Sequence, residues 1–238
     1  MQSATLNRLE TSMSALQAIL MRIEKAAVKA NRKFSEITLI AVSKTFNTQT
    51  ILPFLKAGHR IFGENRVQEV KKKWPALRHH FPDIELHLIG PLQSNKVSEA
   101  VRLFDVIETI DRDKIAALLA QEIRRQNKSL KLYIQVNTGS ESQKSGVAPH
   151  NVAHLLNQCK NYHKIYIEGL MCIPPLGENP ATHFAILKKI GREVGLSRFS
   201  MGMSNDFETA IAFGATHIRI GSAIFGHRNN KKNQSLYG

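Results

Sequence analysis

Cysteine is scarce in this sequence: Cys159 and Cys172 are the two present among 238 residues. They lack the paired spacing of a zinc site or a disulfide framework, so they read as reduced thiols of a cytoplasmic protein, and no metal is expected. Long apolar runs are missing too. The opening stretch MQSATLNRLETSM has no basic segment leading into a hydrophobic one, and the longest apolar run near it is residues 39–42, which indicates neither secretion nor a membrane partner. Acidic residues are the third shortage, since 19 Asp and Glu against 33 Lys and Arg leave a formal charge of +14. Such an excess concentrates phosphates, nucleic acid or anionic membrane. The basic residues are scattered, however, with short clusters at 71–73 and 231–232 and no interleaved aromatic residues of the kind that stack bases. A generally basic surface is the expectation, and a dedicated nucleic-acid site is disfavoured.

What is present is apolar periodicity. Leu6, Leu9, Met13, Leu16, Leu20, Ile23 and Ala27 recur at steps of three and four, predicting an amphipathic helix over about residues 5–30. Its pattern barely reaches coiled-coil length, so packing across a barrel is the preferred partner. Short apolar runs then alternate with helical patterns, at 37–42, 60–62, 84–89, 104–107, 130–136, 164–167, 198–199 and 217–220. The stretches between them, such as 113–126 and 183–194, have helical spacing. Eight strands is the number a closed (β/α)8 barrel requires, and such barrels run to about 250 residues. The expectation is an α/β fold: one TIM barrel domain over about 36–226, the extra N-terminal helix before it, and a basic tail at 227–238. An open doubly wound sheet is the fallback.

In such a barrel, chemistry collects where strands run into the following loops. The polar residues there are Ser43-Lys44-Thr45, Gly63-Glu64-Asn65, residues 90–96, Asn137, Gly169-Leu170-Met171 after strand six, residues 200–206, and Arg219-Ile220-Gly221-Ser222. Lys44, directly after an apolar strand, is the candidate nucleophile, because burial lowers an amine's pKa and leaves it able to attack an aldehyde carbon. The competing reading is a strand cap whose ammonium stays in water. In residues 202–206, glycine permits close backbone approach, and Ser204 or Asn205 can cap a helix over 207–213 whose free N–H groups suit an anion. Gly221 and Ser222 add further donors, in the loop pair where barrels commonly hold phosphate. Lysine at strand one and a phosphate cradle at strands seven and eight together suggest a phosphorylated aldehyde. Arg219 is predicted to point inward, either in a stabilising ion pair or beside a pyridine nitrogen. A guanidinium there would donate a hydrogen bond and leave the ring unprotonated, a weak electron sink.

The segments 41–45 (AVSKT), 62–65 (FGEN), 87–96 (HLIGPLQSNK), 200–204 (SMGMS) and 219–221 (RIG) are similar to the motifs of the pyridoxal phosphate homeostasis proteins, the YggS or PROSC type. The resemblance runs from the first strand to Gly226. It implies a fold-type-III barrel of the alanine racemase N-terminal domain type, binding pyridoxal 5′-phosphate (PLP) as an internal aldimine on Lys44. By the same match Ser204, Gly221 and Ser222 would hold the phosphate, Arg219 would face the pyridine nitrogen, and Asn65 and Met201 would line the ring. The implied role is intracellular PLP homeostasis, carrying or regulating cofactor supply, with PLP-dependent apoenzymes as clients and no established catalysis. A monomer is expected. Arg66 stands where the family often has tyrosine, Ser222 where threonine is common, and residues 137–146, with Glu141 and Lys144, look like the family's loop.

The alternative is a PLP-dependent amino-acid racemase. Two-base racemisation needs an acid or base on each face of the substrate. In the alanine racemases the second base is a tyrosine from an added domain, for which this length leaves no room. Tyr133, Tyr162, Tyr166 and Tyr237 all fall outside the predicted rim loops. Weak side activity, with Lys44 as sole base, stays open.

Overall fold

Alternation of strand and helix closes the chain on itself. The structure is a computed structural model that describes residues 2–139 and 145–226, with side chains from Met13 onward. Glu141, Lys144 and the basic tail at 227–238 lie outside the described residues. The strands are β1 (Thr38–Val42), β2 (Ile61–Glu64), β3 (Glu85–Leu88), β4 (Val106–Ile110), β5 (Lys131–Val136), β6 (Gly169–Cys172), β7 (Arg198–Ser200) and β8 (His217–Ile220). All pair in parallel, in sequence order, and β8 returns to β1 with Arg219 opposite Ile40. The helices are α1 (Gln2–Lys29), α2 (Thr48–Lys56), α3 (Val67–His80), α4 (Val97–Leu103), α5 (Asp113–Arg125), α6 (Val152–Asn157), α7 (Pro180–Val194), α8 (Phe207–Ala212) and the single turn α9 (Ser222–Phe225). No described helix is long and apolar enough to cross a membrane.

The period-two alternation of each strand sorts its side chains between two environments. Leu39, Ala41, Phe62, Leu86, Leu88, Ile107, Leu132, Ile134, Phe199 and Ile218 join Phe54, Trp74, Leu119, Phe184 and Phe207 from the helices in one apolar cluster. The opposite parity faces inward. The hydroxyl of Ser200 on β7 meets Glu108 on β4 at 2.6 Å, and since these strands are not neighbours, the bond crosses the barrel interior. Barrels usually fill that space with layers of branched apolar side chains. Here Val106, Tyr133 and Met171 make one small apolar group and Ile40, Val42 and Ile89 gather around Gly63, while Glu108, His87, Ser200, His217 and Arg219 bring polar groups into the same space.

Helix α1 lies against α8 and α9. Arg22 pairs with Glu208 at 3.1 Å and covers the Phe207 ring, and Arg32, just beyond the helix, donates to the carbonyls of Ile211 and Ala215. This is the barrel packing expected of the N-terminal helix.

Four expectations need correction. Strand six is Gly169–Cys172 rather than 164–167, so Gly169, Leu170 and Met171 belong to the strand and not to its loop. Lys164 takes a left-handed φ of 57° to end the turn over Gln158–His163, and the apolar 165–167 stretch only leads into the sheet. A Cβ on residue 169 would lie 2.3 Å from the Arg198 carbonyl and 2.7 Å from the Tyr133 ring, so this glycine marks close packing between strands. Strand four continues past 107 to Ile110, which carries Glu108 into the barrel. The helix after β7 has Asp206 at its N-cap rather than Ser204 or Asn205, because the Asp206 carboxylate accepts from Met203 N and folds the loop one step later. Finally, the 71–73 cluster is not all surface charge: Lys73 is buried and ion-paired to Glu64.

Candidate functional site

Strands β2, β1, β8 and β7 are consecutive neighbours in the closed sheet, so their C-terminal ends form one continuous arc of the rim. Lys44, Asn65, Met201, Ser204, Arg219, Gly221 and Ser222 all belong to that arc. Lys44 is half-buried, in a turn that continues the ladder through Ser43 N to Gly63 O (3.1 Å) and closes through Phe46 N to Ser43 O (3.2 Å). Thr45 follows at φ 69°, a left-handed conformation that costs a β-branched residue about 1–3 kcal/mol. Its N–H is held by Glu69 at 3.0 Å.

Asn65, half-buried, rests its backbone on Gly90. A Cβ there would meet Asn65 O at 2.3 Å, so the glycine sets how closely the second and third loops approach. Gly202, at φ 95°, lets the β7 loop fold onto α8, where a side chain would strike Ala210. Ser204 thereby arrives 3.3 Å from the Ser222 hydroxyl, and Gly221 lies beside Val42 at the end of β1. Met201 differs from the others: its side chain is fully buried in the shell between sheet and helices, and it presents only backbone at the rim. Arg66 is exposed.

Below the rim, Arg219 is 3% exposed and points inward. It donates to Ser200 Oγ and to the Cys172 carbonyl, each at 2.7 Å. Ser200 donates to one oxygen of Glu108, whose other oxygen meets His87 Nδ1 at 2.7 Å. His87 Nε2 reaches Glu85 at 3.0 Å, and Glu85 reaches Lys131 at 2.5 Å near the opposite mouth. Along the axis the groups therefore alternate: lysine, carboxylate, imidazole, carboxylate, guanidinium.

The electrostatics follow from that order. Burial pushes the Glu108 carboxyl up, but the His87 hydrogen bond and the charges of His87 and Arg219 outweigh it and hold the group below the usual range. Burial pulls His87 down, and the two carboxylates on either side overcome it and raise the imidazole. The His87 hydrogen bond, helped by Lys131, draws Glu85 down to about 2. The two carboxylates, one on each ring nitrogen, thus favour the protonated form of His87 more than water does. Burial raises the Tyr133 phenol, and it lifts the thiols of Cys159 and Cys172 to about 12, leaving them inert. Glu64, buried against α3, is raised by desolvation despite its contact with Lys73.

His217 stands in the same interior, and burial lowers it to about 4. Its folded value lies below its unfolded one, so the unfolded chain takes up a proton first and stability drains away as pH falls from about 6.5 to about 4. The gap corresponds to about 3 kcal/mol. Urea unfolding at pH 7 and pH 4.5 is expected to show this loss in the parent protein and a smaller one in His217→Asn; equal losses in both would refute it.

Sequence reasoning missed Glu108, the interior role of His87, and Glu64 with Lys73. The available signal was a charged residue inside an apolar run, Val106-Ile107-Glu108-Thr109-Ile110, because a buried charge must have partners. Among the described residues no histidine, cysteine or carboxylate cluster could hold a metal ion.

Residues 15–229 match the family described as alanine racemase, N-terminal domain. The pyridoxal phosphate homeostasis protein of Vibrio cholerae serotype O1 is 39% identical over 228 residues, covering 92% of this chain and 97% of that protein. The structure of PipY from Synechococcus elongatus PCC7942, with PLP bound, is 35% identical, with a TM-score of 0.74 over 86% of this chain and 100% of that one. Alanine racemase of Clostridium difficile 630 shares the fold alone, at 11% identity and a TM-score of 0.70, over 97% of this chain and 59% of that one.

Proposed function

The chain belongs to the family of pyridoxal phosphate homeostasis proteins, and from that premise we propose that it binds PLP at the β2-β1-β8-β7 arc, as a Schiff base with Lys44, to carry or regulate the cofactor. The observation that carries the reading is the meeting of two loops there: the Ser204 and Ser222 hydroxyls, in the loops that follow β7 and β8, lie 3.3 Å apart, and β8 is the neighbour of the strand that runs into half-buried Lys44. Two hydroxyls and the backbone at Gly221 suit a phosphate, a lysine suits an aldehyde, and Arg219 beneath them suits a pyridine nitrogen. PLP has all three features. In this reading Asn65 lines the ring with its side chain and Met201 with its backbone.

We place the role in supply rather than catalysis. When bound, PLP supplies an electron sink, and that sink is strong only if its ring nitrogen is protonated. A guanidinium shares its N–H protons in hydrogen bonds without releasing them, and Arg219 is tied into the Glu108 column, so it donates a hydrogen bond and no more. A racemase also needs a second base at the rim. Tyr133 is buried within β5, and Tyr162 and Tyr166, 69% and 77% exposed, precede β6 at the opposite end, so no described tyrosine takes that place. The reading treats the barrel with α1 as one PLP-binding domain, acting as a monomer in the cytoplasm, with PLP-dependent apoenzymes as recipients.

Borohydride reduction of the PLP-loaded protein, followed by peptide mass mapping, tests the central step. The pyridoxyl mass is expected on the peptide containing Lys44. Its appearance only on other lysines would overturn the assignment.

A further inference from the structure

Resting on the reading of Lys44 as the PLP-linking residue, we propose that Lys73 on α3 is a positioning residue for that lysine, holding the turn that presents it. Lys73 is 9% exposed, in a chain whose other basic residues are mostly solvated. A lysine ammonium has three protons to donate, and three acceptors surround this one: Glu64 Oε1 at 2.6 Å, the Ser43 carbonyl at 2.9 Å and the Phe46 carbonyl at 3.0 Å. Ser43 and Phe46 bracket Lys44 and Thr45. The clamp therefore grips the backbone on both sides of the candidate nucleophile.

Its counter-ion does the same from the sheet. Glu64 Oε1 accepts from the Ser43 hydroxyl at 2.6 Å and from Trp74 Nε1 at 3.1 Å, while Oε2 is buried without a partner among the described residues. All the donors thus converge on one carboxylate oxygen beneath the turn. The need for such a clamp is visible in the turn itself: Thr45 is left-handed, and Glu69, one turn of α3 before Lys73, holds its N–H. A buried ion pair is weak evidence for added stability, because desolvation offsets its attraction. Placement of the Lys44 amine is a reason for keeping one here. Without the clamp, Ser43 and Phe46 lose their shared donor and the turn can relax away from its strained geometry, which moves the amine relative to the Ser204–Ser222 pair.

The test separates placement from folding and from phosphate binding. Lys73→Met alone leaves a buried carboxylate, so the informative variant is Lys73→Met with Glu64→Gln, which removes both charges together. Two probes are used: PLP with borohydride trapping mapped to Lys44, and pyridoxine 5′-phosphate, which keeps the ring and phosphate but has no aldehyde. The expected result is pyridoxine phosphate affinity within about twofold of the parent, with the initial rate of trappable linkage at Lys44 down by about tenfold. Lys73→Arg with native Glu64 is expected to recover part of that rate. An unchanged rate in the double variant overturns the inference, as does parallel loss of both probes, which would mean a general collapse of the site. If the parent protein itself gives no adduct at Lys44, the binding reading fails first and takes this inference with it.

Discussion

Lys44→Ala is expected to eliminate the borohydride-trapped adduct and to weaken retention of PLP through exhaustive dialysis by about a hundredfold. That is the lower end of the gain when a second attachment becomes intramolecular. Residual binding should persist, because the Ser204–Ser222 pair and Arg219 are untouched. Thermal stability should change little. Lys44 is only half-buried, and its turn is held through the backbone of Ser43, Thr45 and Phe46. Equal retention by the parent and the alanine variant would place the attachment elsewhere. A variant that loses retention and also melts early would show that the lysine serves the fold.

The second large effect concerns the interior. Glu108→Leu removes the one carboxylate that separates His87 from Arg219, leaving the buried Arg219 guanidinium without its counter-ion and His87 without one of its two carboxylate partners. Breaking a buried pair this way costs about 3–5 kcal/mol, a large share of the 5–15 kcal/mol typical of a whole domain. Glu108→Gln keeps the shape and should cost less, about 1.5–3 kcal/mol, the usual worth of a hydrogen bond to a charged group. Urea denaturation at pH 7 measures both. A leucine variant within about 1 kcal/mol of the parent would show that the column does not depend on this charge.

The two halves of the site differed in how far the chain order alone exposed them. The rim arc rests on local features: a lysine two residues past a strand, glycines where loops must approach closely, and serines a few residues later. Each lies within one short window, so Lys44, Ser204, Gly221 and Ser222 could be proposed from the strand ends of an expected barrel and from the family's short motifs. The ion column is assembled from residues far apart, with Ser200 and Glu108 separated by 92 positions. Only strand parity brings them together, and ending strand four at residue 107 hid the glutamate that joins them. Lys73 was hidden for a similar reason. Beside Lys71 and Lys72 it looks like part of a solvated helix face, and its burial depends on Glu64 and the β1 turn, which the helix pattern does not contain. Strand six was displaced because residues 164–167 have the expected apolar character, whereas the true strand starts at a glycine required by the Tyr133 ring.

The seam of the barrel also bears on how the protein comes into being. Ile40 on β1 lies opposite Arg219 on β8, roughly 180 residues later. During synthesis at about 5–20 residues per second, some ten to forty seconds pass between them. Over that interval β1 lacks one of its two neighbours, and α1 lacks α8 and α9, the helices it packs on most. Lys44 is made early; Arg219, Gly221 and Ser222 come last. The nascent chain therefore carries Lys44 with neither Arg219 nor the loop of Gly221 and Ser222 beside it. On the proposed reading, cofactor capture begins only when the last strand docks onto the first, so loading would report completion of the fold.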